Sequence, residues 1–296
     1  MGGVSGAFLI LPFQMSVLKY TSPSVSATNF VYNIVAIPSG VYRYIKEGRM
    51  AWPLTWVVIA GTLPGVFIGY YLRVLYLPDP SVFKLFVGCV LLYIGGRLLY
   101  ETVPLVSLST KTLQRDQMIS LEEKFRQRTE EIKKQQYTRF ASGIPKEAVV
   151  RTVSFSLTRV EYEFWGERFS FSTAAMFFLA CIVGIIGGTY GIGGGAIIAP
   201  FCVAVFHLPV YTVAGAALMG TFITSIAGVI FYSLLPAKEG LATSPDWLLG
   251  SLFGIGGFAG MYLGARLQKY IPQRLLKLSL GVLILFLAVK YIYQYF

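Results

Sequence analysis

The sequence predicts an all-α polytopic membrane protein: two inverted repeats of transmembrane helices with glycine-broken short helices, plus a small mixed helix-and-strand insert on the cytoplasmic side. Three observations predict it. Polarity is segregated, because residues 101–170 hold 12 of the 25 Lys and Arg and 10 of the 14 Asp and Glu, while the rest of the chain keeps only Glu47, Asp79, Glu239 and Asp246 as acids. The chain also repeats itself. Gly3-Val4-Ser5-Gly6-Ala7-Phe8-Leu9-Ile10-Leu11-Pro12-Phe13 returns as Gly191-Ile192-Gly193-Gly194-Gly195-Ala196-Ile197-Ile198-Ala199-Pro200-Phe201, and the same shift of 188 carries Val25 onto Val213, Gly40 onto Gly228 and Tyr44 onto Tyr232. Finally, a basic loop in one copy answers a nearly neutral loop in the other. A duplicated hydrophobic chain is the pattern of a secondary transporter with its site between the halves.

Only 13% of the residues are charged, against about a quarter in soluble domains. Segments 52–72, 81–99, 171–187, 210–235, 247–265 and 278–296 are long and apolar enough to cross a hydrocarbon core of ~30 Å as helices. The net charge of +11 belongs to helix ends under the positive-inside bias, not to nucleic-acid binding. Cys89, Cys181 and Cys202 stand in apolar runs without CxxC spacing and read as small buried hydrophobes. The single His207 excludes a His-rich metal site, and no cofactor is called for. The N-terminus lacks a basic n-region, so no cleavable signal peptide is expected.

The chain divides into a first transmembrane repeat at 1–100, a charged insert at 101–170 and a second repeat at 171–296. Each repeat reads as a short apolar segment (7–18 and 195–206), a long helix (24–44 and 210–235), a glycine-striped helix (52–76 and 247–269) and a final helix (81–99 and 274–294). Gly61, Gly65 and Gly69 answer Gly256, Gly260 and Gly264, and four-residue spacing puts each set on one helix face for close packing. The second repeat adds a leading helix at 171–187. Nothing before Gly3 matches it, so the repeat predicts a counterpart upstream, lost through a misassigned start or a truncation; a divergent first repeat is the alternative. Within the insert, apolar residues at helical spacing predict a helix over 111–136. Alternation through Val153, Phe155 and Leu157, then Val160, Tyr162 and Phe164, predicts strands with a bulge or bend near Thr158-Arg159 and a turn at Gly166.

Loop charges set the orientation. After the long helix the first copy has Arg43, Lys46 and Arg49 against Glu47, whereas the second has Lys238 against Glu239 and Asp246. After the striped helix the bias reverses: Arg266, Lys269, Arg274 and Lys277 face no acid, while Arg73 and Lys84 flank Asp79. Lys and Arg mark the cytoplasmic side, so non-equivalent loops face inward and the repeats are inverted. The insert then lies in the cytoplasm, as a packing platform or a contact for a cytoplasmic partner or a second copy.

Gly191-Ile192-Gly193-Gly194-Gly195 will interrupt a helix, and the segment after it is short for a full span. A broken helix with its tip inside the membrane would present free amides and the positive end of a dipole to an anion. Close helix packing through small residues explains the glycines equally well. Gly3, Ser5 and Gly6 form the weaker copy. Asn29 and Asn33 share a face of the long helix near Thr28, opposite the counterpart region at Thr221, and read as substrate ligands or inter-helix ties. Tyr190 beside the glycines reads as a gate, a belt residue or a packing residue. Lys19 and His207, equivalent by the same shift, close the short segments and mark interfaces. GxGxxG-type nucleotide binding fails, because an apolar helix precedes the glycines and no acid follows until Glu239. No acid occupies a helix centre, which disfavours a carboxylate proton relay and cation transport and favours an anion held by dipoles, amides and hydroxyls.

GIGGGAIIAP with its echo GVSGAFLILP, the V-x-A start of the following helix, the basic hairpin YRYIKEGRMAW and the striped helix with Leu63-Pro64-Gly65 together resemble the TauE/SafE family. The resemblance covers both halves and leaves 101–170 as an insertion; Ser5 and Ala7 stand where the second copy has glycines. It implies a permease or exporter of small sulfur-containing or organic anions, such as sulfite, sulfoacetate or sulfonates, in the plasma membrane of a prokaryotic cell. A membrane-anchored sensor or assembly partner working through 101–170 is the competing reading. A nucleophile–base pair cannot be assembled from these residues, so an enzyme is not expected. Single cysteines placed at Lys46 and Gly240 should be labelled from the cytoplasmic and the external side respectively; labelling of both from one side would remove the inversion.

Overall fold

Backbone amides surrounded by hydrocarbon have no water to bond, so apolar segments close their hydrogen bonds within themselves as helices. The computed structural model describes residues 5–46, 48–102, 149–164, 166–237, 240–267 and 273–295. The first repeat forms α1 (Ala7–Ser16), α2 (Ser24–Ala36), α3 (Pro38–Lys46), α4 (Trp52–Tyr71) and α5 (Pro80–Thr102). A three-stranded sheet follows, then α6 (Thr173–Tyr190), α7 (Gly195–Phe206), α8 (Val210–Leu234), α9 (Trp247–Leu267) and α10 (Gln273–Tyr293). Among the described residues, four helical stretches are long and apolar enough to cross a membrane: Trp52–Tyr76, Pro80–Tyr100, Thr173–Tyr190 and Thr212–Leu234. The spans expected near 247–265 and 278–296 coincide with α9 and α10.

Two expectations are corrected here. The long helix at 24–44 is two helices, because Pro38 has no amide proton to continue the ladder of α2. The phase change near Thr158 is neither a bulge nor a bend within one strand but a hairpin. β1 (Arg151–Phe155) pairs antiparallel with β2 (Arg159–Phe164), and the Ser156 amide donates to the Arg159 carbonyl at 3.1 Å. The register shift falls between Thr152 and Ser154 instead. β3 (Glu167–Ser172) returns along β2 and leads into α6, whose first turn is capped by Ser172 accepting from the Ala175 amide. The helix expected at 111–136 and the loop charges Glu47, Lys238, Glu239 and Lys269 lie outside the described residues.

The duplication reappears in backbone geometry. Lys19 and His207, equivalent by the shift of 188, are the two non-glycine residues with positive φ among those described, at 55° and 53°. The next amide loops back the same way in each copy, Tyr20 to the Gln14 carbonyl at 3.0 Å and Leu208 to that of Cys202 at 3.2 Å. Equivalent helices also exchange partners: α2 packs on α9, and α8 packs on α4.

The two glycine stripes behave differently. A Cβ on Gly65 would lie 2.8 Å from Gly184 Cα of α6, and one on Gly188 of α6 would lie 2.6 Å from Val66 Cα of α4. The two backbones therefore touch, and α4–α6 is the most extensive helix pair. In α9 the equivalents Gly256 and Gly260 meet nothing within 4 Å, and Gly250, Gly254 and Gly257 make the contact with α2 through Val31, Val35 and Tyr32. Packing is thus realised by one stripe and not by Gly256 and Gly260, since α6 has no counterpart among the described residues of the first repeat. Gly65→Ala should destabilise by about 1–3 kcal/mol through overpacking, whereas Gly260→Ala should melt within error of wild type or slightly above it. Thermal unfolding in detergent reads both; equal losses would contradict the geometry.

Candidate functional site

α6 ends where Gly191 takes a left-handed φ of 88°, a conformation that costs glycine nothing. The amides of Gly191, Ile192 and Gly193 then turn back onto one acceptor, the Gly187 carbonyl, at 2.9, 3.0 and 3.3 Å. The Gly194 amide donates to Thr224 Oγ1 of α8 at 3.3 Å. The amides expected to stand free at the turn, those of Gly191 to Gly194, are therefore bonded within the protein. The close approaches explain why: a Cβ on Gly191 would lie 2.6 Å from Ser26 Cα of α2, and one on Gly194 2.6 Å from Thr62 Cβ of α4. A Cβ on Gly195 would lie 2.7 Å from the Thr221 amide nitrogen of α8, and Gly193, with φ 77°, faces Thr221 and Thr224. Three helices close on the turn, and no methyl fits between them.

Asn33 binds across this junction. Its Nδ2 donates to the Ile192 carbonyl at 3.1 Å and to Ser225 Oγ at 3.2 Å, tying α2 to the turn and to α8. One turn earlier, Asn29 Nδ2 donates to the Ala7 carbonyl of α1 at 3.2 Å. Both side chains are fully buried, and the Oδ1 atom of each has no partner. Such orphaned amide oxygens are costly in a membrane interior and mark places where a ligand, a proton donor or water is accommodated.

Pro12 within α1 supplies no amide proton, which leaves the Phe8 carbonyl without its helical partner. The Tyr190 hydroxyl takes that carbonyl at 3.1 Å, so Tyr190 ties the end of α6 to the first repeat. Ser5 Oγ accepts from the Ala7 amide at 3.3 Å, and Gly6 lies against the Tyr32 hydroxyl. Gly3 is outside the described residues. The structure therefore gathers Asn33, Gly191, Gly193, Gly194, Gly195 and Thr221 at one junction, and places Ser5, Gly6, Asn29 and Tyr190 along the neighbouring α1 side. Sequence reasoning misses Ser26, whose Oγ donates to the Thr189 carbonyl at 3.0 Å, and Thr62, which abuts Gly194. Helical spacing to Asn29 and Asn33 was the signal that could have found Ser26; Thr62 carries none. Among the described residues no group of three or more His, Cys, Asp or Glu could hold a metal ion.

The sheet reaches the same bundle. Tyr162 of β2 is buried, and its hydroxyl pairs with Thr212 Oγ1 at the start of α8 at 2.9 Å. Burial raises the Tyr162 phenol above its ordinary range, the Thr212 bond opposing part of that shift. The Val150 amide donates to the Gly48 carbonyl at 3.0 Å, holding the sheet against the loop after α3.

A family model described as "Sulfite exporter TauE/SafE" matches residues 1–291. The chain is 34% identical over 107 residues to "Probable membrane transporter protein YdhB" of Bacillus subtilis (strain 168), over 35% of this chain and 40% of that protein. It is 22% identical over 131 residues to "Probable membrane transporter protein YunE" of the same organism, over 44% of this chain and 45% of that protein. The chain thus matches less than half the length of either relative. No solved structure matches it. Asn33→Ala should cost about 1–3 kcal/mol, because the Ile192 carbonyl and Ser225 lose a buried donor; thermal melting in detergent measures it, and an unchanged midpoint would detach Asn33 from the junction.

Proposed function

Because the chain belongs to the TauE/SafE sulfite exporter family, we propose that it is a multi-pass transporter that moves small anions across the plasma membrane, with sulfur oxyanions, sulfonates and organic acids as the substrate class. The printed names of its relatives, probable membrane transporters, support the general activity. The junction supports the site: a glycine turn between α6 and α7 is surrounded by Asn33, Thr62, Thr221 and Thr224, with unpartnered amide oxygens at Asn29 and Asn33. The carrying observation is this broken helix in a core where acids are missing from every helix centre; the orphaned oxygens of Asn29 and Asn33 are acceptors, and suit the hydroxyl of a protonated oxyanion. Substrate contact by Gly3, Ser5, Gly6, Asn29, Asn33, Tyr190, Gly191, Gly193, Gly194, Gly195 and Thr221 is part of the same proposal.

Inverted repeats are supported by the reversal of loop charge, and the reciprocal pairs α2–α9 and α8–α4 support a two-fold relation of either sense. A cytoplasmic place for 101–170 follows from that orientation. The sensor reading survives as regulation: the Tyr162–Thr212 bond gives the sheet a direct hold on α8, which also carries Thr221 and Thr224.

Counterflow of sulfite, thiosulfate, sulfonates and carboxylates in proteoliposomes tests the proposal. Saturable exchange of at least one of these anions is expected, with Asn33→Ala and Thr221→Val lowering it by tenfold or more, on the order of the loss of one good hydrogen bond. Removal of residues 103–148 should leave exchange intact and alter only its control. Protein that reconstitutes folded and exchanges none of the four classes would overturn the transporter reading.

A further inference from the structure

Arg73 is fully buried within the candidate span Trp52–Tyr76, on the π-helical turn Leu72–Tyr76 that ends α4. By sequence it counts as a loop charge; in the fold it is buried near the end of a candidate span. A buried charge is costly unless a counter-charge meets it, and π turns recur at functional positions. Its partners are neutral. Nη1 donates to the Leu77 carbonyl, Nη2 donates to the Thr21 carbonyl at 3.4 Å, and the guanidinium lies 3.6 Å from the centre of the Phe83 ring. Nε has no partner. Among the described residues no carboxylate pairs with it: Asp79 is exposed and accepts from the Ser81 amide at 2.6 Å. Glu239 lies outside the described residues.

A second observation points from the same corner toward the junction. Ser22, next to the Thr21 that Arg73 binds, has a buried Oγ without a partner. Ser26, Asn29 and Asn33 share one face of α2, Ser22 stands two residues before its start, and three of the four carry an unpartnered polar atom. Tyr232, whose ring packs against that of Tyr70 with centroids 4.9 Å apart, donates to the Gly188 carbonyl at 3.1 Å, just ahead of the glycine turn. A cation that meets no carboxylate among the described residues thus stands at one end of a buried polar file, and the glycine turn stands at the other.

We propose that Arg73 and Ser22 form a second anion site, which seats a small oxyanion between the guanidinium Nε and Nη2 edge and the serine hydroxyl. The planar guanidinium fork suits two oxygens of one anion, and the ligand supplies the missing counter-charge. Binding at this site stands independently of transport through the glycine turn.

The test uses the full chain in detergent, with sulfite and sulfate as probes against chloride at equal ionic strength. One of the two should raise the melting midpoint by about 5 °C at a hundredfold excess over Kd. Arg73→Met should abolish that shift while leaving the probe-free midpoint unchanged or higher, because an unpaired buried charge is removed. Arg73→Lys should retain a weaker shift, and Ser22→Ala should weaken binding about tenfold. A lower probe-free midpoint for Arg73→Met with the probe shift intact would make Arg73 a structural anchor and overturn the site. So would the absence of any probe shift in the wild type, or a Glu239→Gln variant that creates the shift, since Glu239 would then be the counter-ion. Should Arg73→Met fail to fold, protection of Arg73 from phenylglyoxal by the probe in the wild type decides the matter, and lack of protection overturns the site. Intact counterflow in an Arg73→Met protein whose probe shift is lost would support a second site separate from the transport path.

Discussion

Inside a bilayer every backbone polar group needs a partner from the protein, and the turn after α6 is where that requirement is hardest to meet. Three consecutive amides, those of Ile192, Gly193 and Gly194, leave the helical ladder there. Two share the Gly187 carbonyl with the last helical bond, from Gly191, and the third goes to Thr224. That solution works only if α2, α4 and α8 come close enough to seal the turn, and they do so because Gly191, Gly193, Gly194 and Gly195 carry no side chains. The contact of α4 with α6 follows from the same logic one layer out, where Gly65, Gly184 and Gly188 let two backbones touch. The hydroxyls near the turn are also accounted for: Thr62, Thr221 and Thr224 each return a bond to a carbonyl of their own helix.

Prolines create the complementary problem and tie the two repeats together. Pro12 leaves Phe8 without a helical donor, and Tyr190 from the other repeat supplies one. The Pro12 carbonyl accepts from Tyr291, while the equivalent Pro200 carbonyl accepts from Arg97. Each short helix is thus held by the final helix of the opposite half. Against such thorough pairing, the polar atoms left over carry meaning. Among the described residues, Asn29 Oδ1, Asn33 Oδ1, Ser22 Oγ, Arg73 Nε and both amide atoms of Gln14 are buried without partners. A protein selected only for stability would have filled those positions with apolar side chains, so their presence is the physical argument for a ligand.

Much of the fold was legible in the residues. Segregated charge, helical length and the repeat located the helices to within a few residues, because hydrophobic length and backbone pairing admit few alternatives. Strand alternation at 153–164 was read correctly, but its phase change was a chain reversal, which period alone cannot distinguish from a bulge. Pro38 was a visible break that the apolar run around it obscured. At the site, the glycines and the two asparagines stood out because such residues are unusual in a span. Thr62 did not, since a threonine returning its hydroxyl to its own helix is common there. Arg73 was legible only as a loop charge, because nothing in its neighbours says that α4 continues through a π turn and carries it inward.

The residues by themselves determined the class of molecule: composition and hydrophobic length require a membrane, duplication requires two related halves, and a run of glycines requires a break. Tertiary structure alone decided which glycine stripe meets a helix, which amides close the turn and which polar groups stay unpaired. The reason is physical. Hydrophobicity and turn chemistry are properties of a segment and can be read along the chain, whereas close approach and orphaned polarity are properties of pairs of segments far apart in it. Gly61, Gly65 and Gly69 look no different from Gly256 and Gly260 until a second helix is, or is not, there to touch them.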